Sequence, residues 1–248
     1  MKTKFVPLCA ATAMLVSASS LQAAISLLDG VAYTQNFNSL ASTGTSSTLP
    51  TDWVLSESDT AANTTYTVGT GSLATGDTYS FGLASNSDRA LGTLLSGSLV
   101  STIGASFKND VGAATIDLTI VYTGEQWRLG ATSRVDRLDF QYSLNATSLT
   151  TGTWTDVNSL DFTAPITSGT LGAFNGNLTA NRTSISSSIT GLAVTSGATF
   201  WIRWSDFNST GSDDGLAVDD FSITAVPETS TSLLGLLGVL GLLWRRRM

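Results

Sequence analysis

Apolar and polar residues alternate with a period of two in the internal part of the chain. Residues 116–122 carry an apolar side chain at every second position, and residues 138–142 and 200–204 repeat the pattern. Successive side chains of a β-strand point to opposite faces, so each run predicts a strand with one buried face. No internal stretch sustains the 3.6-residue period of an amphipathic helix. The alternation therefore predicts a protein built from β-strands.

About a dozen short strands are predicted, separated by Gly, Ser, Thr, Asn and Asp, which favour turns. They lie near residues 31–38, 52–57, 64–68, 78–83, 88–92, 98–107, 114–123, 137–143, 153–157, 160–163, 182–190, 199–206 and 215–224. The Ser/Thr-rich residues 39–50 and the Gly/Asn-rich residues 167–180 are predicted loops. This density of strands predicts one all-β domain at residues 24–225, a two-sheet antiparallel β-sandwich.

The last predicted strand has an irregular pattern of apolar positions. The spacing is two, then three, then two residues, at Leu216, Val218, Phe221 and Ile223. A regular strand cannot turn all four to one face, because a shift of one residue reverses the side-chain direction. A β-bulge at Asp219 and Asp220 would add one residue and return all four to the same face.

The N-terminus has the composition of an export signal. Lys2 and Lys4 precede an apolar stretch at residues 5–16, and small residues around 21–24 offer a cleavage site. This order predicts a secretory signal peptide at residues 1–23. The domain that follows is therefore expected outside the inner membrane.

The C-terminus combines a short apolar run with a basic cluster. Twelve uninterrupted apolar residues at 233–244 are followed by Arg245, Arg246 and Arg247. A helix of this length spans about 18 Å, which is less than the ~30 Å hydrocarbon core of a bilayer. The arginines are expected to remain on the cytoplasmic side. The pattern predicts a short hydrophobic helix that holds the domain near the membrane.

Composition excludes several kinds of site. The chain has no histidine, and its single cysteine, Cys9, lies in the predicted signal peptide. The mature domain therefore lacks a Ser-His-Asp triad, a Cys-His dyad, a structural zinc site and any disulfide. Residues 24–226 contain 18 acidic and 7 basic residues, a net charge of −11. Such an acidic domain is not expected to bind nucleic acid.

Residues 226–248 resemble the PEP-CTERM sorting signal of Gram-negative bacteria, which joins a Pro-Glu-Pro-like motif, a short hydrophobic helix and a basic cluster. The motif here is Val226, Pro227, Glu228, Thr229 and Ser230, with Thr229 in place of the second proline. The resemblance implies recognition by an exosortase, a membrane transpeptidase that removes the helix. These residues would be recognised by that partner, and the protein would be tethered to the membrane only before processing.

The rest of the chain resembles extracellular jelly-roll domains, which often end in a run such as residues 218–223. The resemblance extends over most of the domain and includes residues 49–53, 76–82, 89–92, 122–128 and 201–204. It implies a jelly-roll-like sandwich and brings no characterised activity. Some of these domains hold a structural Ca²⁺ where the last strand meets the N-terminal strand.

Two candidate binding sites follow from the residues. The first is a structural Ca²⁺ site, the only cofactor expected, because carboxylates are suitable calcium ligands. Its candidate ligands are Asp213, Asp214, Asp219 and Asp220. The alternative is an acidic turn in which an aspartate caps backbone amides.

The second candidate site is for a sugar, at Glu125, Trp127 and Arg128. An indole ring can stack on a sugar while charged side chains bond its hydroxyl groups. The alternative is that Trp127, like most of the five tryptophans of the domain, packs in the core.

The residues Arg134, Asp136, Arg137 and Asp139 are expected to form exposed charge pairs on neighbouring strands.

The function expected from these features is non-enzymatic: an exported protein of the cell surface or extracellular matrix. The resemblance to the sorting family implies an exopolysaccharide as its partner. The alternatives are a carbohydrate-binding module and a glycoside hydrolase. A hydrolase needs two carboxylates about 5–10 Å apart. The only glutamates of the domain are Glu57 and Glu125. A binding module should expose a tryptophan or tyrosine on a concave sheet or a loop rim, beside Arg, Glu or Asn, whereas a structural protein should bury nearly all its tryptophans.

Overall fold

A computed structural model of the chain describes residues 23–228. This part of the chain forms sixteen strands and two one-turn 3-10 helices. The strands are β1 (Ile25–Leu27), β2 (Tyr33–Gln35), β3 (Thr45–Ser46), β4 (Trp53–Ser58), β5 (Tyr66–Gly69), β6 (Asp77–Phe81), β7 (Ala90–Leu94), β8 (Val100–Asn109), β9 (Ile116–Leu129), β10 (Arg137–Ser143), β11 (Thr155–Asp156), β12 (Phe162–Thr163), β13 (Gly172–Ala173), β14 (Arg182–Leu192), β15 (Thr199–Asp206) and β16 (Gly215–Pro227). The 3-10 helices are Asn158–Leu160 and Thr179–Asn181.

The strands form two sheets packed face to face, which confirms the predicted β-sandwich. The seven-stranded sheet has the order β1-β8-β15-β10-β11, with β4 beside β8 and β12 beside β10. The nine-stranded sheet has the order β13-β9-β16-β7-β6-β5-β3, with β14 beside β9 and β2 beside β16. Most pairs are antiparallel, but β1 with β8 and β5 with β6 are parallel. Within residues 23–228, no helix has the length and apolar character needed to cross a membrane.

Each predicted strand range overlaps an observed strand, and the differences lie at short strands and ends. The sequence pattern missed β1, and it assigned β3 and β13 to loops. These last two have only two residues each, so they show no alternation. Strand β9 runs on to Leu129, six residues beyond its predicted end, and the last strand continues to Pro227. The predicted signal peptide, except Ala23, and the tail after Glu228 lie outside the described residues.

The core lies between the sheets and is rich in aromatic side chains. Trp204 of β15 stacks on Trp53 at 6.1 Å and meets Phe221 edge-on at 5.7 Å. Tyr122 and Phe140 contact the same indole at 5.2 and 5.1 Å. Aromatic pairs at such distances add roughly 0.5–1.5 kcal/mol each to the free energy gained by burial. The two sheets are therefore joined by one aromatic cluster.

The predicted β-bulge in the last strand is present. Asp219 is opposite Thr123 of β9, but Ser222 is opposite Val121, so β16 has one residue more than its partner in this interval. Asp220 takes the positive φ of 47° that makes the bulge possible. The four apolar residues with irregular spacing are all fully buried in the main core: Leu216, Val218, Phe221 and Ile223. The bulge thus keeps both halves of the strand in the core.

Deletion of Asp220 should keep the fold, because the apolar spacing of the last strand then becomes two throughout and a regular strand turns all four apolar residues into the core. The matched control is deletion of Ser222, which keeps the bulge but turns Ile223 out of the core, since a one-residue shift reverses the side-chain direction. This control should abolish folding or cost more than about 4 kcal/mol. Urea unfolding of both variants measures the difference. Equal stability of the two would contradict this account of the bulge.

Candidate functional site

The outer face of the seven-stranded sheet carries a tryptophan surrounded by polar side chains. Gln141 on β10 and Arg203 on β15 are register partners and both point away from the core, because their neighbours Phe140 and Trp204 point into it. The segment 144–154 folds back over this face and brings Trp154 onto it. Its residue Leu149 packs so closely on Gly104 of β8 that a Cβ there would lie 2.8 Å from the leucine.

A chain of planar polar contacts fixes the position of Trp154. The indole Nε1 donates a hydrogen bond to the carbonyl oxygen of Thr151 at 2.9 Å. The guanidinium carbon of Arg203 lies 3.9 Å from the centre of the indole ring. Arg203 Nε donates to Gln141 Oε1 at 2.7 Å, and Gln141 Nε2 donates to Asp156 Oδ1 at 2.6 Å. Partial burial lowers the pKa of Arg203, and Asp156 opposes this effect.

Trp154 differs from the other tryptophans of residues 23–228 in its exposure. Four tryptophans are buried, at 5% exposure or less: Trp53, Trp127, Trp201 and Trp204. Trp154 is partly exposed and packs by its inner side on a small apolar cluster with Leu149 and Trp201. The sequence pattern did not distinguish it from the others. The available signal was its place after a turn at Gly152, between polar residues on both sides.

The residues predicted to bind a sugar lie on the outer face of the other sheet, and Trp127 is inaccessible there. Glu125, Trp127 and Arg128 belong to β9 itself and not to a loop after it. Trp127 has 0% exposure, and its Nε1 donates to Glu125 Oε2 at 2.9 Å. Arg128 donates to the carbonyl oxygen of Gly71 at 3.1 Å and forms no ion pair with Glu125 or Asp136.

One segment of the chain covers Trp127. It passes Gly176 over the indole so closely that a Cβ on this glycine would lie 2.4 Å from Nε1. The backbone amide of Phe174 in the same segment donates to the carbonyl oxygen of Trp127 at 2.7 Å. Below the cover, Trp127 stacks on Phe81 at 5.9 Å and an interplanar angle of 4°. A sugar contact at Trp127 would therefore require this cover to move away.

The two glutamates of the domain have internal partners. Glu57 Oε1 accepts hydrogen bonds from the amide and hydroxyl of Thr78 at 2.9 and 2.7 Å, and its Oε2 accepts from the amide of Asn63. Glu125 has 1% exposure. A carboxylate that cleaves a glycosidic bond must touch its substrate, and Glu125 does not reach the surface in this arrangement.

The carboxylates of Asp213 and Asp214 accept hydrogen bonds from backbone amides and from a side-chain amide. Asp213 Oδ1 accepts from the amide of Ser209 at 2.9 Å. Asp214 Oδ1 accepts from the amide of Gly130 at 2.7 Å, and its Oδ2 accepts from Gln126 Nε2 at 2.8 Å. Burial raises the pKa of both carboxyl groups to about 6.

Asp219 and Asp220 lie elsewhere, beside Glu125. Asp219 has 5% exposure, and its Oδ1 accepts from the amide of Asp220 at 2.7 Å, inside the bulge. Burial, with the negative charges of Glu125, Asp220 and Asp88, raises the pKa of Asp219 to about 8. Burial likewise raises the pKa of Glu125 to about 7, although its hydrogen bond from Trp127 opposes the change.

The four aspartates of the predicted calcium site therefore contact different neighbours. Asp213 and Asp214 lie in an acidic group with Asp136, whereas Asp219 and Asp220 lie with Glu125. Among residues 23–228, no three His, Cys, Asp or Glu side chains are arranged to hold a metal ion. The predicted calcium site stays a prediction, with Asp213 and Asp214 occupied by the capping hydrogen bonds of the alternative.

The prediction that Arg134, Asp136, Arg137 and Asp139 form exposed charge pairs is wrong for the first two residues, whose side chains are largely buried. Arg134 pairs with Asp136 at 2.8 Å and with Asp214 at 3.1 Å, with side chains at most 9% exposed. Asp136 also accepts from the amides of Arg137 and Asp214. The segment 130–136 folds inwards here, a long-range contact that local sequence spacing does not encode. Arg137 and Asp139 do form a partly exposed pair, but on the same strand.

The first part of the predicted sorting motif closes the domain. Val226 and Pro227 are the last residues of β16, opposite Asp117 and Ile116 of β9. The amide of Glu228 donates to the carbonyl oxygen of Thr115 at 3.1 Å. All three motif residues are exposed. Thr229 and Ser230, like the arginine cluster, lie outside the described residues.

Comparisons with known proteins show similarity of fold only. No protein-family model matches the chain, and no curated protein sequence matches it. Among solved structures, the CBM22-1 xylan-binding domain from Paenibacillus barcinonensis is 10% identical, with a TM-score of 0.41, over 82% of this chain and 99% of that chain. A cleaved adhesin domain of Lys-gingipain from Porphyromonas gingivalis is 13% identical, with a TM-score of 0.42, over 79% and 98%. At these values the similarities indicate nothing about ligand or activity.

The buried carboxyl groups should make the protein less stable as the pH rises. A carboxyl group with a raised pKa binds its proton more tightly in the folded than in the unfolded protein, where the pKa is about 4. Stability is therefore lost as the pH increases through the folded pKa values of about 7 for Glu125 and about 8 for Asp219. We expect the Tm to fall by several degrees between about pH 5 and pH 9.

The variant Asp219→Asn tests whether the buried carboxyl groups cause the fall in Tm. Its amide oxygen can still accept the hydrogen bond from Asp220, but the group no longer ionises, so the fall in Tm should become smaller. Asp59→Asn, at an exposed position, is the matched control and should keep the slope of the unmodified protein. A Tm that rises over this pH range, or an equal slope in both variants, would show that Asp219 is not responsible.

Proposed function

We propose that this protein is a non-enzymatic component of the cell surface or extracellular matrix, and that its β-sandwich binds an extracellular polysaccharide. The observation that carries the proposal is the position of Trp154, a partly exposed indole that the segment 144–154 holds over the outer face of the seven-stranded sheet. A partly exposed tryptophan beside an arginine is the arrangement expected of a carbohydrate-binding module, and Arg203 lies over the Trp154 ring. The other four tryptophans are buried, whereas Trp154 keeps part of its ring at the surface.

The groups around Trp154 supply what a sugar requires. An indole offers an apolar surface for the C–H groups of a pyranose ring, and a rigid aromatic side chain loses little conformational entropy on binding. Arg203 and Gln141 are held in fixed orientations by their hydrogen bonds, and Asp156 is exposed at the end of the same chain. Donors and an acceptor are thereby placed beside the ring before any ligand arrives. Such preorganisation favours affinity.

The proposal includes delivery to the surface. The sequence pattern at residues 1–23 supports export, and the tail at residues 226–248 supports sorting by an exosortase-type transpeptidase. The exposure of Pro227 and Glu228 at the end of β16 is compatible with their recognition by such an enzyme. Cleavage after the domain would release it from the predicted C-terminal helix, whose length is less than the thickness of the hydrocarbon core. The mature protein would then carry the β-sandwich without an anchor.

Trp154→Ala should weaken polysaccharide binding at least about tenfold, equivalent to about 1.4 kcal/mol. The reason is the loss of the apolar ring surface and of the group over which Arg203 is held. A glycan array on the full chain identifies the ligand, and titration calorimetry with that ligand gives the affinities.

The matched control for Trp154 is Leu178→Ala, a large apolar residue with 55% exposure in the segment that covers the other sheet. It should bind as the unmodified protein does. Thermal unfolding of both variants checks that the fold is kept. Equal binding by Trp154→Ala and Leu178→Ala, or a glycan array without a ligand, would remove the proposed binding site.

The sorting proposal predicts a mass difference between two strains. In a strain with the exosortase, intact-mass spectrometry should find the protein without residues 233–248, whereas in a strain without the enzyme the tail should remain attached. Pro227→Ala with Glu228→Ala should keep the tail in both strains. Asp59→Asn is the control and should be processed normally. A tail removed equally in both strains would reject sorting by this enzyme and leave the proposal for Trp154 unaffected.

A further inference from the structure

The longest unpaired strand edge among residues 23–228 belongs to β14. This strand has eleven residues, which corresponds to about 36 Å, and it pairs on one side with β9. No strand of the described part of the chain pairs with its other side. At the opposite ends of the two sheets, β3 and β11 have only two residues each. Short edge strands are one way in which proteins avoid pairing with other chains, and β14 lacks this protection.

Two other protective features, blocking residues and bulges, are also missing from most of β14. The strand contains no proline and no lysine, and its register with β9 is regular from Arg182 to Ile189. A bulge occurs only between Ile189 and Leu192. The side chains on its outer face are small and exposed: Ser184, Ser186 and Ser188. A flat, regular edge with small side chains is a template for a further strand.

The charge distribution around β14 favours a second copy of this chain as its partner. Arg182 is the single charged residue between Asp161 and Arg203, so the edge is nearly neutral in a domain of net charge −11. Two copies of such an acidic domain repel each other in most orientations. The edge of β14 is a long surface where two copies can approach without bringing carboxylates together.

We propose that two copies of this chain form a dimer by antiparallel pairing of β14 with itself. A pairing centred on Ser187 brings Arg182 of one copy to the Gly191–Leu192 end of β14 in the other, just beyond the regular part of the strand. At the Leu192 end, the carboxylate of Asp117 accepts a hydrogen bond from the amide of Gly191 at 2.8 Å, and Glu228 lies beside the same glycine. Each copy thus offers one positive end and one negative end to the other.

Because the dimer has two-fold symmetry, the contact between the positive end of one copy and the negative end of the other forms twice. Arg182 points to the outer face of the nine-stranded sheet, as do Asp117 and the serines, because the alternate residues Ile185 and Ile189 are buried. The two arginine–carboxylate contacts therefore form on the same face of a continuous sheet. On the inner side, Ser187 Oγ is hydrogen bonded to Ser159 Oγ at 2.8 Å, so the helix Asn158–Leu160 holds the rim of the sandwich beside this edge.

Sedimentation equilibrium of the full chain in a mild detergent tests the dimer. The variant Ser186→Lys/Ser188→Lys places like charges opposite each other across the two-fold axis and should convert the dimer to a monomer. Both positions are exposed, so the fold should be kept. The control Ser58→Lys/Thr60→Lys adds the same charge at exposed positions remote from β14 and should remain dimeric.

Disulfide trapping tests the register. In a Cys9→Ser background, the variant Ser186→Cys/Ser188→Cys places the cysteine at position 186 of one copy opposite the cysteine at position 188 of the other and should give a covalent dimer on mild oxidation. The control Ser58→Cys/Thr60→Cys should give none. A full chain that is monomeric at every concentration, or a dimer unaffected by the lysine variant and not trapped by the cysteines, overturns the proposal.

Discussion

Everything in this domain depends on the burial of aromatic side chains between two sheets, because the domain contains no cysteine that could join them covalently. Trp204 is the centre of the cluster, and Phe221 joins it from the opposite sheet. Phe221 reaches the cluster only because the bulge at Asp220 restores the direction of the strand. Replacement of a core Phe or Trp by alanine typically costs about 3–5 kcal/mol, a large part of the stability of a domain. A backbone irregularity of one residue therefore supports the contact between the sheets.

The same bulge places an acidic group where it weakens the fold at high pH. Asp219 turns to the outer face of the nine-stranded sheet, beside Glu125, and both are nearly inaccessible to solvent. Two buried carboxylates near each other cannot both ionise without a large loss of free energy. The protein retains them although they are not required for the core. Their hydrogen bonds give a reason for retaining these two carboxyl groups. Asp219 accepts from the Asp220 amide and Glu125 accepts from the Trp127 indole, and burial would otherwise leave both N–H groups unpaired.

Much of the fold could be predicted from the sequence, but the candidate site could not. Alternation and spacing are local properties, so they indicated the strands and also the bulge between Val218 and Phe221. The exposure of an indole depends on residues distant in the sequence. Trp127 followed a strong strand and was flanked by charged residues, yet the segment around Gly176, almost fifty residues later, covers it. The polar residues beside Trp154 indicated a turn but not the exposure of its ring, and Gln141 reaches Arg203, which lies over the indole, only because β10 and β15 pair.

The two proposed surfaces lie on different sheets, and this separation has a consequence for binding. Trp154 lies on the outer face of the seven-stranded sheet, whereas β14 is an edge of the nine-stranded sheet. Pairing through β14 would leave Trp154 accessible in both copies, so a dimer would present two polysaccharide sites. When two sites engage one long polymer, the second binding event is intramolecular, and the overall affinity can exceed that of a single site by roughly 10²–10⁴. A repetitive polysaccharide meets this condition, because equivalent binding units recur along the chain. Weak contacts at a single tryptophan would then suffice to retain the protein in a matrix.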